Sequence, residues 1–129
     1  MTLDDIIKTT VGSIPELRNK VHPYTANILS KPPFAFYMQD GFSQKMTLDG
    51  STGLYSADYQ VHIAGKTNAT VQKLGELAAG RLEALTGTLH GGISIDYAEC
   101  RQKMPTIPER EVNLYRRPLS LHLEYRLTN

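Results

Sequence analysis

Two histidines and one glutamate are the residues of this chain whose types could act together in chemistry. His62 lies on the polar side of one alternating segment, and His122 and Glu124 lie on the polar side of another. On neighbouring strands with these faces aligned, the three side chains would match the two-histidine, one-carboxylate ligand set of a metal site. Solvated residues on a half-exposed sheet, or residues bonded across subunits, explain the same pattern. The sequence therefore predicts no metal, no cofactor and no catalytic residue, with a small metal-dependent enzyme as the alternative.

The other reactive residue types stand in no recognisable catalytic pattern. His90-Gly91-Gly92 is similar to the oxyanion loop of esterases, but no Gly-x-Ser-x-Gly motif occurs in the chain. Cys100 is the single cysteine, which excludes an internal disulfide, and a small buried hydrophobe is the ordinary role of such a residue. The sequence contains no Walker loop, dinucleotide-binding fingerprint, HExxH motif or zinc-finger spacing. These observations predict that the protein is not an enzyme.

The composition indicates one globular domain without a strong overall charge. A chain of 129 residues buries about two-thirds of its unfolded surface, which is enough for a single domain spanning residues 1–129. The 14 basic and 13 acidic side chains give a net charge of +1, so specific binding to nucleic acid is not expected. The first residues lack the basic region and apolar core of a signal peptide. The sequence also lacks a stretch of about 18 consecutive apolar residues, the length that spans a membrane. We therefore expect a protein that is neither secreted by this route nor inserted in a membrane, and the single cysteine fits a reducing cytoplasm.

Two short helices are predicted near the N-terminus. Thr2, followed by two aspartates, is typical of a helix N-cap, and this helix is expected to run to about Thr10. The stretch 13–16, Ser-Ile-Pro-Glu, has the pattern of a capping box and predicts a second helix that ends before His22.

One long helix is predicted in the middle of the chain. Thr67 is its expected cap, leucines and alanines follow at helical spacing, and Gly87 ends it. Each glycine inside a helix costs about 1 kcal/mol relative to alanine. We therefore expect Gly75 and Gly80 to lie where this helix packs closely on a sheet.

Alternating apolar and polar residues predict strands at 34–38, 55–63, 93–97 and 112–127. The alternation of the last segment changes phase between Leu114 and Leu119. We predict a β-bulge at Arg116 to Pro118, which would turn Arg116 and Arg117 outward, towards a neighbour. The expected fold is α+β: a mostly antiparallel sheet of about four to five strands, packed by one long helix and the short N-terminal helices.

The segment from Phe42 to Gly53 has no packing period. Phe42, Met46 and Leu48 are apolar, but glycines and polar residues separate them. Loops of about a dozen residues without regular structure are usually functional. We predict that this segment is a mobile loop in the free subunit and an ordered interface in an assembly.

The order of these elements resembles that of the tail-completion, or tail-terminator, proteins of long-tailed bacteriophages. The likeness is carried by the Leu-Asp-Gly-x-x-Gly-Leu loop at Leu48 to Leu54, which leads into a strand of aromatic residues and valine. It is also carried by Tyr115-Arg116-Arg117 ahead of the alternating closing strand, and it covers essentially the whole chain.

This resemblance implies a structural role in a virion rather than catalysis. Copies of the chain would form a ring, commonly of six, at the head-proximal end of the tail tube. The ring would stop tube growth and present a surface to the head-completion protein. The partners implied are therefore other copies of this chain, the tail tube protein and the head-completion protein. A generic oligomeric adaptor of non-viral origin remains the other alternative.

Overall fold

The computed structural model describes residues 2–24, 31–47, 50–101 and 105–127, and for 43–47 and 50–52 it describes the backbone alone. The elements, in chain order, are α1 (Leu3–Gly12), a short 3-10 helix (Pro15–Leu17), β1 (Val21–Pro23), β2 (Phe34–Thr47), β3 (Gly50–Gly65), α2 (Asn68–Glu83), β4 (Thr88–His90), β5 (Ile93–Arg101), β6 (Ile107–Glu109) and β7 (Leu114–Leu127). None of the described helices is long and apolar enough to cross a bilayer.

The strands form one sheet in the order β1-β2-β3-β7-β5-β4, and β6 pairs with the start of β7. Only β1 and β2 run parallel, whereas the other pairs are antiparallel. The predicted α+β class with a mostly antiparallel sheet is confirmed. The predicted number of four to five strands is wrong, because the described residues already form a sheet of seven. The strands missed are β1, β4 and β6, whose three residues each are too few to show an alternation.

The sheet has one face covered by helices and one open face. On the helix-covered face, alternate residues of the central strands β3 and β7 are buried, for example Val61 and Leu121. Both helices join the same core, α1 through residues such as Ile7 and α2 through residues such as Leu74. The open face carries the intervening residues of the same strands, and no described helix packs on it. The period of two in β3 and β7 therefore sorts side chains between a core and an exposed surface.

The first helix begins as predicted, but the second is not an α-helix. The Thr2 side chain accepts from the backbone N–H of Asp5, and the Asp5 carboxylate accepts from the backbone N–H of Thr2, which completes a capping box. After α1 the chain makes only the 3-10 turn, because Arg18, with ψ 125°, leaves the helical region and Asn19 has φ 61°. These conformations turn the chain into β1, whose backbone pairs with β2.

The predicted β-bulge at Arg116 to Pro118 is wrong. β7 pairs with β3 without interruption from Tyr115 to Arg126, so Leu114 and Leu119 lie on opposite faces. The apolar residues change phase without an extra residue, because Val112 belongs to a turn before the strand and Leu114, the first residue of β7, is an apolar residue on the open face. The sheet places its extra residues elsewhere, in β5 between Ile95 and Tyr97 and in β2 between Gln39 and Gly41.

The segment from Phe42 to Gly53 is not an irregular loop. Its described backbone belongs to β2 and β3, which pair from Phe42 opposite Ala57 to Thr47 opposite Gly50. A register shift between Gln44 and Met46 removes the periodicity that would have revealed a strand. Leu48 lies outside the described residues, as does the side chain of Met46.

The two glycines of α2 differ in their surroundings. A Cβ atom on Gly75 would lie 3.0 Å from Cγ of Arg117 on β7, whereas one on Gly80 would meet no heavy atom within 4 Å. The predicted close packing on the sheet is therefore confirmed for Gly75 and wrong for Gly80.

Gly80→Ala is expected to raise the free energy of unfolding by about 0.5 to 1 kcal/mol, because alanine favours the helix and the position is open. Gly75→Ala serves as the matched control, and we expect no gain from it because the new methyl group must displace Arg117. Urea denaturation measures both values. Equal stabilisation by the two changes would contradict this account of the helix.

Candidate interaction surface

The open face is hollowed at its centre by a polar trough of about 500 Å³. Its lining comes from four strands and consists of Asp40, Asp58, Tyr59, Glu99, Arg101, Ser120, Leu121 and His122. Pairing between β3 and β7 places Asp58 opposite His122, and pairing between β5 and β7 places Glu99 opposite the same histidine. Cross-strand register therefore brings these charged groups together, although they are far apart in the sequence.

Four ionisable side chains of the trough form two pairs. Nδ1 of His122 lies 2.8 Å from a carboxylate oxygen of Asp58. Arg101 donates to both carboxylate oxygens of Glu99, at 2.8 and 2.9 Å, and these bonds lower the pKa of Glu99. Such pairs lie in contact with water, which screens them, so they contribute little to stability. The trough is thus a paired polar surface, which suits contact with water or a protein partner.

Among the described residues His62 is the buried polar side chain of this face, with 5% of its surface exposed. Its ring stacks on Phe36 with centroids 4.8 Å apart and planes 4° from parallel. Arg116 Nη1 lies 2.9 Å from Nδ1 of His62, and Gln60 Oε1 lies 3.1 Å from Nε2. A guanidinium only donates, so Nδ1 accepts and Nε2 carries the hydrogen that is donated to Gln60. The surroundings hold His62 as one neutral tautomer.

Burial, and after it the positive charge of Arg116, lower the pKa of His62 from 6.5 to about 4. An unfolded chain takes up this proton near pH 6.5, whereas the folded chain resists it until about pH 4. The stability that depends on neutral His62 is therefore complete above pH 6.5 and is lost as the pH falls towards 4.

The free energy of unfolding is expected to fall by roughly 2 kcal/mol between pH 7.5 and pH 5, because protons bind the unfolded chain at His62 in this range. His62→Gln, which does not titrate, should flatten the profile. Denaturant titrations at several pH values measure both curves. Parallel curves for the two proteins would contradict the assignment of this pH dependence to His62.

The residues of the alternative metal site are not brought together. His62 pairs with Pro118 while His122 pairs with Asp58, four residues away along β3. Four strand residues span about 13 Å, which is too far for two ligands of one metal ion. Glu124 lies on the same face as His122 but opposite Ser56, farther still from His62. Among the residues that the structure describes, no group of three histidine, cysteine or acidic side chains is placed to hold a metal.

Arg116 and Arg117, predicted to point outward together, lie on opposite faces of the sheet. Arg116 lies on the open face, where Nε donates to Glu109 at 2.8 Å and Nη1 to His62. Arg117 lies on the helix-covered face beside Gly75. Because β7 contains no bulge, successive side chains must alternate. The two residues therefore cannot act as one outward-facing pair.

Phe42 is an exposed aromatic residue at the edge of the helix-covered face. It is 61% exposed, and its ring lies 5.9 Å from that of Tyr55, which lies 5.5 Å from that of Tyr125. Tyr125 is buried, so this aromatic row runs from the core to the surface. Leu127, which follows on the same face of β7, is 59% exposed. We name Phe42, Tyr55 and Leu127 the aromatic shelf.

Cys100 and His90 lie in surroundings that suit a structural role rather than a reactive one. Cys100 is 9% exposed on the helix-covered face, and burial raises the pKa of its thiol to about 12, far from a reactive thiolate. Nε2 of His90 lies 2.8 Å from the hydroxyl of Thr88. The interpretation of Cys100 as a small buried hydrophobe is confirmed.

Sequence reasoning missed Asp40, Glu99, Arg101 and Glu109, which line the trough or bind Arg116. No local signal identifies them, since each acquires its partner only through strand pairing. The one available hint was the run of polar residues at alternate positions of β3 and β7.

No protein-family model matches the sequence, and no curated protein matches it. The fold matches 18 chains of solved structures. One is from the structure described as "Virion of native gene transfer agent (GTA) particle", with a TM-score of 0.62 and 12% identity over 96% of this chain and 87% of that chain. Another covers 98% of this chain and 88% of its own at 18% identity, but its TM-score of 0.39 is too low to support an argument. The first match shows a shared fold.

Proposed function

We propose that this chain is a structural protein of a phage-like particle. The observation that carries the proposal is the fold shared with a chain of a gene transfer agent virion across 96% of this chain. The sequence resemblance to tail-completion proteins points the same way and was drawn from different features, namely element order and two short motifs. Agreement between a fold comparison and a sequence pattern favours a particle component over an unrelated α+β domain.

In the finer form of the proposal, copies of the chain form a ring, six in number, at the head-proximal end of a tail tube. The ring ends tube growth and joins the tail to the head, so its partners are its own copies, the tube protein and a head-completion protein. It works at the head-tail junction of the virion after assembly in the host cytoplasm, and it needs no cofactor. This form rests on the resemblance to tail-terminator proteins.

The aromatic shelf and the adjoining hairpin are the surfaces we assign to contact between copies. Phe42 offers apolar area that its own subunit leaves 61% exposed. A two-stranded hairpin is marginally stable in water by itself, and β3 extends past its last pairing with β7 at Leu54. A neighbour that covers this region would bury Phe42, and Met46 and Leu48 stay interface candidates from the sequence alone. Arg116 and Arg117 also remain interface candidates, but each can contact a neighbour only on its own face of the sheet.

The alternative as a metal-dependent enzyme is disfavoured by the separation of His62 from His122 along β3. Stoichiometric zinc or iron in the purified protein would revive it. The generic adaptor is the remaining competitor, since a polar trough and an apolar shelf suit any oligomer.

Removing the gene from a particle-producing genome tests the proposal directly. We expect separate heads and tails, with tails of irregular length, in electron micrographs. Supplying the intact gene on a plasmid should restore joined particles. Normal joined particles without the gene would contradict the proposed function, and tails of normal length that fail to join would contradict its tube-terminating part alone.

A further inference from the structure

A chain of hydrogen bonds crosses the open face from β6 to β2. It starts at Glu109, which accepts from Nε of Arg116 at 2.8 Å, and continues from Arg116 to His62 at 2.9 Å. His62 donates to Gln60 at 3.1 Å, and Gln60 donates to Asp40 at 3.0 Å. His62 thus occupies the middle of a chain that is anchored by a carboxylate at each end.

The segment at the β6 end joins the sheet through a short ladder with β7, from Ile107 opposite Arg116 to Glu109 opposite Leu114. β6 has three residues, and its central residue, Pro108, has no backbone N–H to donate. The turn that follows, residues 110–113, carries Val112 with 63% of its surface exposed. Arg116 binds Glu109 of β6 and His62 of β3 at once, so it ties this segment to the middle of the sheet.

We propose that His62 is the switch of a latch that holds β6 and the turn at 110–113 against the sheet. Neutral His62 accepts from Arg116 and keeps that side chain positioned for Glu109. Protonated His62 carries a hydrogen on Nδ1 and a positive charge opposite the guanidinium, so the bond breaks and the two groups repel. His62 is a positioning residue in this device, and the inference goes beyond the proposed virion role without depending on it.

The groups around His62 favour an open latch at low pH. Arg116 from β7 is the cation that faces Nδ1, and Phe36 from β2 covers the ring with an apolar surface. Gln60 presents an amide oxygen to Nε2, while the carboxylates of Glu109 and Asp40 lie one residue farther along the chain of bonds. Among the described residues no carboxylate binds the ring directly, so the added charge is relieved by moving away from Arg116 towards water.

The size of the pH effect on latch opening follows from the difference in the pKa of His62 between the closed and the open state. The pKa of His62 is about 4 in the closed latch, and a released His62 would return towards 6.5. Lowering the pH from 7 to 5 then multiplies the equilibrium constant for opening roughly 20-fold. Such a factor is measurable by amide hydrogen exchange once rates are corrected for the intrinsic effect of pH.

Exchange in peptides covering 107–114 therefore tests the latch. In the intact chain, corrected exchange there should accelerate roughly 20-fold from pH 7 to pH 5. His62→Gln should remove this response, because glutamine can accept from Arg116 but does not titrate. Arg116→Met should give fast exchange at both pH values, because the tie is absent throughout.

His122→Gln is the matched control, since His122 lies on the same face of the sheet but outside this chain of hydrogen bonds. It should keep the response of the intact chain. If exchange in the His62→Gln protein accelerated equally between pH 7 and pH 5, Glu109 rather than His62 would cause the pH response, and the proposal would be overturned. Unchanged exchange at 107–114 in the intact chain would overturn it as well.

Discussion

Phe42→Ser is expected to lower the yield of joined particles by more than tenfold while changing the free energy of unfolding of the subunit by no more than about 1 kcal/mol. In the proposed ring, covering Phe42 would contribute roughly 1 to 2 kcal/mol at each contact, and the loss would repeat at every contact. The subunit is insensitive because Phe42 is 61% exposed and forfeits only its stacking on Tyr55. Electron microscopy counts the joined particles, and urea denaturation of the purified chain gives its stability.

Leu77→Ser is the matched control for this experiment. Leu77 is 40% exposed on α2, so its change also removes apolar surface, but from a region outside the aromatic shelf. We expect a normal particle yield from it. A normal yield with Phe42→Ser would show that the shelf is no interface. A loss of several kcal/mol in the free subunit would show instead that Phe42 supports the fold.

Leu123→Ala is expected to lower the free energy of unfolding by about 3 to 5 kcal/mol, a large part of the roughly 5 to 15 kcal/mol of a typical domain. Leu123 is fully buried in the central strand β7. Its cross-strand neighbours are Ala57 on β3 and Ala98 on β5, whose short side chains cannot fill the space that leucine vacates. The cavity therefore stays open, which is the costly form of this substitution. Thermal and urea unfolding measure the loss.

Leu127→Ala, on the same strand and face, provides the comparison. Leu127 is 59% exposed, so we expect a change of less than about 1 kcal/mol. Similar losses at both positions would mean that Leu127 is packed in solution, and a loss below 1 kcal/mol at Leu123 would mean that the core rearranges around the smaller side chain.

The features that the sequence determined are those set by neighbouring residues. The cap at Thr2, the cap at Thr67 and the alternation of β3 each depend on a few adjacent positions, and the structure has all three. The α+β class follows from the same local periods, since one segment repeats as a helix and others repeat as strands.

Tertiary structure alone decided which strands are neighbours and in what register. The alternation of β7 predicts the same inward direction for Leu123 and Leu127, but Leu123 is fully buried whereas Leu127 is 59% exposed. The polar faces of β3 and β7 are aligned as the metal hypothesis required, yet register separates His62 from His122 and places Arg116 beside His62. The bulges lie in β2 and β5. The sequence could not locate them, because a residue is extra only relative to the partner strand that leaves it unpaired.

The burial of His62 shows this division most clearly. The sequence determined that His62 lies on the polar face of its strand, because that depends on a period of two within one segment. Only the assembled sheet decided that this polar position is 5% exposed, stacked on Phe36 of one neighbouring strand and bonded to Arg116 of the other. Side-chain direction is a local property of the backbone, whereas burial and pKa depend on what other strands bring within a few ångströms.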